Sequence, residues 1–111
     1  MLDMLNNMIR KFNERIKTDE KLQAEMEGIE RIIQIEITDG PKYYTIIKNK
    51  HADDLKEGIM ENPDIVITSD EATMTGLINK EISPIKAFLV TKQLKIKASL
   101  EDKLRLRKLF Q

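Results

Sequence analysis

The chain contains no cysteine and no tryptophan, and it has only one histidine among its 111 residues. Without cysteine there can be no disulfide bridge, thiolate nucleophile or cysteine-based metal site, and the composition is in keeping with a reducing, cytoplasmic location. The one histidine, His51, lies in a polar turn with no serine, cysteine or carboxylate placed beside it by a catalytic motif. A histidine in that setting is weak support for catalysis, so we expect that the protein is not an enzyme.

Other site patterns are missing as well. The four glycines form no phosphate-cradling loop, and the acidic pairs Asp53-Asp54 and Asp70-Glu71 lack the glycine-bearing loop of a calcium site. We therefore expect no metal and no cofactor. Two tyrosines and three phenylalanines, with an even charge balance, give little support for nucleic-acid binding. No apolar run is long enough to span a membrane, and Asp3 does not fit a signal peptide.

The charge is balanced in total but uneven along the chain. There are 19 acidic and 19 basic residues, so the whole chain has no general attraction to anionic partners. Residues 53–71 hold seven acids and one lysine, whereas residues 92–108 hold seven basic residues and two acids. Two solvated faces account for this pattern. The alternative is a weak contact of the C-terminal helix with an anionic surface, so peripheral membrane contact is the most that we expect.

The first part of the chain has the apolar period of a helix. Apolar side chains recur at spacings of three and four over residues 2–26. The segment Thr18-Asp19-Glu20 is either an interruption or the start of a second helix, and Gly28 fits a C-cap. The methionines and leucines at its start are a candidate contact face for a homodimer: Met1, Leu2, Met4, Leu5 and Met8.

Alternating apolar residues then predict an antiparallel β-hairpin. One strand is expected from Ile32 to Thr38, with isoleucines on one face and Gln34 and Glu36 on the other. After an Asp-Gly-Pro turn, the returning strand is expected from Lys42 to Asn49. A further strand from Leu55 to Met60 is weakly indicated, because charged residues and a glycine dilute its apolar character.

The next segment predicts a short strand followed by a helix. The run Ile65-Val66-Ile67 is typical of a strand covered on both faces, and Ser69 or Asp70 can cap the helix after it. The apolar positions of this helix are Ala72, Met74, Leu77 and Ile78.

The C-terminal part predicts a helix, a strand and a closing helix. Pro84 ends the preceding helix and starts the next, with Ser83 as its cap. Residues 94–98 alternate as in a strand with one buried face, and Ser99 can cap the last helix. The first of these helices carries Ile85, Phe88, Leu89 and Val90 as its apolar residues. The inner side of the last helix is expected to consist of Leu100, Leu104, Leu106, Leu109 and Phe110.

Three motifs of this half occur in a fixed order. They are Asn-Pro-Asp-Ile-Val-Ile-Thr-Ser-Asp at 62–70, Ala-Phe-Leu at 87–89 after the Ser83-Pro84 step, and Leu-Lys-Ile-Lys at 94–97. In this order the chain resembles the sterol carrier protein 2 (SCP2) lipid-binding domain family, as a prokaryotic stand-alone member. The resemblance implies one α+β domain over residues 1–111, with a five-stranded, mixed but mostly antiparallel sheet and helices packed over one face.

The same resemblance implies a tunnel between the sheet and the helices that takes a lipid or fatty acyl ligand. Three positions depart from the family pattern. No glycine occurs in the turn at 90–93, Ala98 stands where the family has glycine after the last strand motif, and Asn79 stands where glycine is frequent. We therefore expect the turn into the last strand, and one wall of the cavity, to be built differently.

The candidate ligand-binding residues are the apolar side chains of the C-terminal half, which serve equally well as core or as cavity wall. Lys92, Lys95 and Arg105 are candidates for a headgroup contact, although solvation also explains them. The candidate ligand-binding set is Met74, Leu77, Ile78, Ile82, Ile85, Phe88, Leu89, Leu106 and Phe110.

Two functional hypotheses follow from these residues. The first is a non-catalytic lipid or fatty-acyl carrier with an apolar cavity. The second is an interaction module that dimerises or docks to an enzyme and has a filled core and no ligand. A cavity of several hundred Å³ with a narrow mouth would favour the first, whereas a closely packed interior with a large apolar surface patch would favour the second.

Overall fold

The computed structural model describes residues 1–109, and within them the chain forms five helices and six strands. The helices are α1 (Leu2–Thr18), α2 (Glu20–Glu25), α3 (Glu71–Ile78), α4 (Pro84–Leu89) and α5 (Leu100–Leu109). The strands are β1 (Arg31–Ile37), β2 (Lys42–Lys48), β3 (His51–Ala52), β4 (Lys56–Glu57), β5 (Ile65–Ser69) and β6 (Lys95–Lys97). No helix among these residues is both long enough and apolar enough to cross a bilayer.

The strands form one mixed sheet in the order β3-β2-β1-β5-β6, and β4 also pairs with β2. β1 and β5 run parallel, with Ile33 opposite Ile65, and every other pairing in this sheet is antiparallel. The predicted α+β class and the mixed, mostly antiparallel sheet are confirmed. The strand weakly indicated from Leu55 to Met60 is only the two-residue β4, and β3 was not predicted; the two add to β2 at separate places.

The break between the first two helices lies at Asp19. Its carboxylate accepts a hydrogen bond of 3.0 Å from the backbone N–H of Leu22, which is how an N-cap satisfies a free amide of a new helix. The predicted second helix start is therefore confirmed. The apolar stripe of α1 is buried, and Leu5 and Ile9 are fully shielded from solvent.

Burial also reduces the candidate dimer face on α1. Leu5 and Met8 are buried in the chain's own core, so only Met1, Leu2 and Met4 are accessible for a contact with another copy. The homodimer stays a prediction with this smaller surface.

Side-chain amides of α1 hold the edge of the sheet. Asn13 donates to the carbonyl of Ala52 at 2.8 Å and accepts from the same residue's N–H at 2.9 Å. Asn6 accepts from the N–H of Leu55 at 2.7 Å. These bonds satisfy backbone groups that two-residue strands leave unpaired, so the helix and the short strands support each other.

Gln34 lies on the face of β1 opposite the isoleucines, as predicted, but this face is covered at Gln34, whose side chain is only 2% exposed. Its amide nitrogen donates to the carbonyls of Tyr43 and Gly58 at 3.0 and 2.8 Å, and its oxygen accepts from the N–H of Met60 at 2.8 Å. The loop after β4 therefore folds over this side of the sheet. A local pattern cannot reveal that cover, since the loop lies more than twenty residues further along the chain.

Asp70, not Ser69, caps α3. The Asp70 carboxylate accepts from the N–H of Thr73 at 2.7 Å, and hydrogen bonds from Thr73 hold the pKa of Asp70 below its ordinary value. On α3 itself, Met74 and Leu77 are buried as expected, but Ala72 is exposed and Thr73 is buried in its place.

We predict that Gln34→Leu destabilises the protein by roughly 3 kcal/mol, because it removes the side-chain partner of two backbone carbonyls and one N–H in a shielded site. Urea denaturation monitored by circular dichroism measures this change. The control Gln93→Leu, at an exposed turn residue, should change the free energy of unfolding by less than about 0.5 kcal/mol. Equal stability of the two variants would show that the Gln34 amide bonds do not hold the loop.

Candidate functional site

α4 leaves two of its five apolar side chains exposed. Ser83 caps the helix by accepting from the N–H of Lys86 at 3.4 Å, and Pro84 follows as its first residue, as predicted. Ala87 is the one residue of this six-residue helix that is buried, while Ile85 and Leu89 are more than half exposed. Ile85 and Leu89 are therefore not part of the packed core.

The turn between α4 and β6 is closed without glycine. Lys92 takes a φ of +58°, a conformation that costs an L-residue about 1–2 kcal/mol. Backbone bonds from Thr91 to the carbonyl of Lys86 (3.0 Å) and from Leu94 to the carbonyl of Ala87 (3.2 Å) hold the turn against the helix end. This geometry agrees with the expectation that the turn is built differently from a turn that contains glycine.

α5 has two distinct apolar faces. One face packs on the core through Asp102, Leu106 and Leu109, which are buried. Leu100 and Leu104 fall on another side of the helix, since successive residues turn by about 100°, and both are more than half exposed. The prediction that these two leucines lie on the inner side is wrong. Ser99 does cap α5, accepting from the N–H of Asp102 at 3.2 Å.

A buried ion pair fixes this orientation of α5. Both oxygens of the Asp102 carboxylate accept from the Nε of Arg31 on β1, at 3.0 and 3.2 Å, and one of them also accepts from Arg105 at 2.9 Å. The side chain of Asp102 is only 7% exposed. A charge so shielded from water needs its partners, so the helix is held with this residue toward the sheet.

Arg15 on α1 secures the other end of α5. It donates to the backbone carbonyl of Lys108, where a cation also complements the negative end of the helix. Burial lowers the pKa of Arg15, and the nearby carboxylate of Asp19 opposes that shift. α5 is thus attached at its first turn to β1 and at its last turn to α1.

An apolar groove of about 310 Å³ lies between α4, β6 and α5. α4 contributes Pro84, Ile85, Phe88 and Leu89, and the β6 region contributes Leu94 and Ile96. α5 contributes Leu100, Lys103, Leu104, Leu106 and Arg107. The lining is almost entirely hydrocarbon, and the volume is at the lower end of the range for small-molecule sites.

The two cations of the groove lie on α5. The Nζ of Lys103 is 5.6 Å from the centre of the Phe88 ring, so a cation–π contact links α5 to α4 across the groove. Arg107 lies one helical turn further along the same face and is exposed. Of the predicted headgroup residues, Arg105 is engaged by Asp102, and Lys92 and Lys95 do not line the groove.

The structure brings four of the candidate ligand-binding residues together in this groove: Ile85, Phe88, Leu89 and Leu106. Met74 and Leu77 are packed in the core, and Ile78 and Ile82 are half-buried against it. None of these four lines the groove. Phe110 lies outside the described residues.

The region under the helices, where a tunnel was expected, is nearly filled by side chains. The cavity there has a volume of about 30 Å³, which is room for about one water molecule. Its walls include Phe12 of α1, Ile33 of β1 and Leu109 of α5. The larger apolar space therefore lies on the outer side of α5.

Leu94, Ile96, Leu100 and Leu104 line the groove but were not among the candidate residues. A signal for Leu100 and Leu104 was present in the sequence. Together with Lys103 and Arg107 they form a second stripe at spacings of three and four on α5, separate from the stripe of Asp102, Leu106 and Leu109.

The described residues contain no group of three or more histidine, cysteine, aspartate or glutamate side chains able to hold a metal ion. The profile of the SCP-2 sterol transfer family matches residues 9–111. No curated protein sequence matches the chain significantly.

Solved structures share the fold at low sequence identity. The sterol carrier protein domain 2 of Helicoverpa armigera is 22% identical with a TM-score of 0.64, and the match covers 94% of this chain and 82% of that one. A conserved hypothetical protein of Thermus thermophilus, a candidate sterol carrier protein, is 16% identical with a TM-score of 0.66, covering 97% and 82%.

An enzyme also contains this fold as a part. The stereoselective inverting sec-alkylsulfatase Pisa1 of Pseudomonas sp. is 11% identical over 73% of this chain, with a TM-score of 0.60. The match covers 12% of the alkylsulfatase, so this chain spans a small fraction of that protein's length. At these identities the similarity shows the fold alone.

We predict that Asp102→Ala destabilises the protein by about 2–3 kcal/mol, less than for a fully buried pair because Arg31 is 30% exposed. The double variant Arg31→Met/Asp102→Leu should recover most of that loss, since it removes both charges and keeps apolar volume. Urea denaturation of the two variants measures the effect. A double variant as unstable as Asp102→Ala would show that packing, not the unpaired charge, causes the loss.

Proposed function

The chain belongs to the SCP-2 sterol transfer family, and we propose that it is a non-catalytic carrier that holds the apolar chain of a lipid or fatty acyl ligand in the groove between α4, β6 and α5. The observation that carries this proposal is the groove itself. It is lined by nine apolar side chains and two cations, and four of the apolar ones are exposed rather than packed in the core: Ile85, Leu89, Leu100 and Leu104.

Hydrocarbon burial is the expected source of affinity. Each methylene removed from water contributes about 0.8 kcal/mol, so about ten methylenes in the groove would contribute roughly 8 kcal/mol before the cost of association. The groove is open on one side, where Leu89 and Leu100 are exposed, so burial of the ligand is incomplete. A net 8 kcal/mol would correspond to micromolar affinity, so after these losses we expect an affinity no tighter than micromolar.

Lys103 and Arg107 are the groove residues suited to the polar end of the ligand. Both carry a fixed positive charge beside the apolar lining, and a carboxylate or phosphate would gain a charge-assisted hydrogen bond from either. The lining within residues 1–109 offers no hydroxyl, carboxylate, thiol or imidazole group. This composition supports binding over bond-breaking chemistry.

The second candidate function, an interaction module, is favoured by two of the same observations. The interior under the helices is nearly filled, and the apolar groove has a broad mouth with Ile85, Leu89 and Leu100 exposed around it. Native mass spectrometry of the purified protein separates the two functions. Co-purified lipid at one molecule per chain supports the carrier, whereas a lipid-free dimer supports the module.

We predict that Leu104→Asp weakens binding of a fluorescent fatty acid at least tenfold, because it places a charge in the hydrocarbon lining. Leu104 is 54% exposed, so the variant should remain folded. The matched control is Ile59→Asp, at another exposed apolar residue, beside β4, and it should bind as the wild type does. Unchanged binding by a folded Leu104→Asp variant would remove the groove as the lipid site.

We further predict that Lys103→Gln lowers affinity for a fatty acid about tenfold but leaves affinity for the fatty alcohol of equal length nearly unchanged, because only the carboxylate uses the positive charge. Lys97→Gln is the control, since this exposed lysine of β6 does not line the groove. Isothermal titration with both ligands measures the difference. Equal losses for acid and alcohol would mean that Lys103 acts by packing on Phe88 rather than by its charge.

A further inference from the structure

Two apolar spaces of this protein meet at one side chain. The groove between α4, β6 and α5 has a volume of about 310 Å³, and the cavity beneath the helices, here called the inner cavity, has a volume of about 30 Å³. Within residues 1–109, Leu106 of α5 is the one residue that lines both spaces. Leu106 therefore separates the groove from the interior.

Leu106 and Leu94 form the floor of the groove. They are 5% and 2% exposed, whereas Leu104 at the rim is 54% exposed. Of the two cations, Arg107 is exposed and Lys103 is half-buried. A ligand whose polar end meets these cations therefore directs its hydrocarbon tail toward the floor. Because Leu94 does not line the inner cavity, the tail meets the interior only at Leu106.

The position of Leu106 is fixed by the ion pair of α5. Asp102 lies one helical turn before Leu106 on the same face of the helix, and its carboxylate accepts from Arg31 of β1 and from Arg105. A rotation of α5 that moved Leu106 out of the floor would also move this shielded carboxylate away from Arg31, at a high cost. Leu106 is thus a fixed wall of the groove.

The inner cavity behind this wall can accept hydrocarbon. Most of its lining is apolar and includes Ile33 of β1 and Leu109 of α5. Its charged members, Arg31, Asp102 and Arg105, already form ion pairs with one another. A hydrocarbon tail that entered this space would therefore leave no polar group without its partner.

We propose that Leu106 sets the length of the chain that the groove accepts, and that the ligand is a medium-length acyl chain of about ten carbons. The groove holds about ten methylenes if each takes ~30 Å³, the volume of a water molecule in the liquid. A longer chain leaves its further carbons outside the groove, where they add no burial. This inference rests on the proposed carrier function and adds the chain length to it.

The first test uses the unmodified chain. Isothermal titration with the saturated fatty acids from hexanoic to myristic acid measures affinity as a function of chain length. We expect affinity to rise about fourfold with each methylene as far as decanoic acid, and to level off beyond it.

The second test removes the wall. Leu106→Ala takes away the Cγ and both Cδ carbons between the two spaces, so about four more methylenes should fit once the inner cavity joins the groove. We expect this variant to bind myristic acid at least tenfold more tightly than the wild type does, and octanoic acid within about threefold of the wild type.

Leu109→Ala is the matched control. Leu109 is 3% exposed and lines the inner cavity but not the groove, so its truncation enlarges the interior and keeps the wall. Its affinities should level off at decanoic acid, as in the wild type. Both truncations lower stability, and circular dichroism establishes that each variant is folded. If Leu106→Ala does not fold, the smaller truncation Leu106→Val should raise the affinity for myristic acid by about threefold.

Two results would overturn this inference and leave the carrier function standing. One is wild-type affinity that continues to rise from decanoic to myristic acid. The other is an equal gain for myristic acid in Leu109→Ala and Leu106→Ala, which would mean that a loosened core, not an opened wall, admits the longer chain. Absence of binding by the wild type at every chain length would instead refute the carrier function, and the chain-length limit with it.

Discussion

The ion pair between Arg31 and Asp102 sets the rotation of α5, and the groove depends on that rotation. Asp102 gains its two contacts with Arg31 only where α5 turns it toward β1, and losing them would be costly for a shielded carboxylate. With Asp102 held toward the sheet, the helical repeat turns Leu100 and Leu104 away from the core and toward α4. A polar interaction thus decides which leucines are core and which line the groove.

The apolar residues of the C-terminal half are therefore divided between two regions. Met74 and Leu77 are buried in the core, whereas Phe88 and Leu104 line an open groove. Beneath the helices a cavity of only about 30 Å³ is left. A ligand chain in an open groove keeps one side in contact with water, so part of the burial energy is missing.

Local features were predicted well because they depend on neighbours in the sequence. The caps at Asp19, Ser83 and Ser99 each accept a bond from a backbone N–H three residues on. The burial of Gln34 was not predicted, since the loop that covers it comes from a distant part of the chain. The same reason explains the error at Leu100, whose exposure depends on where α5 is held.

The sequence by itself determined the element order, the caps, the mixed α+β class and the family, because these follow from apolar period, turn residues and ordered motifs. Only the tertiary structure decided which apolar side chains are packed and which form the groove. A leucine in the core and a leucine in the groove have the same local sequence pattern. Contacts between distant parts of the chain, such as Arg31 with Asp102 and Lys103 with Phe88, determine which position each leucine occupies.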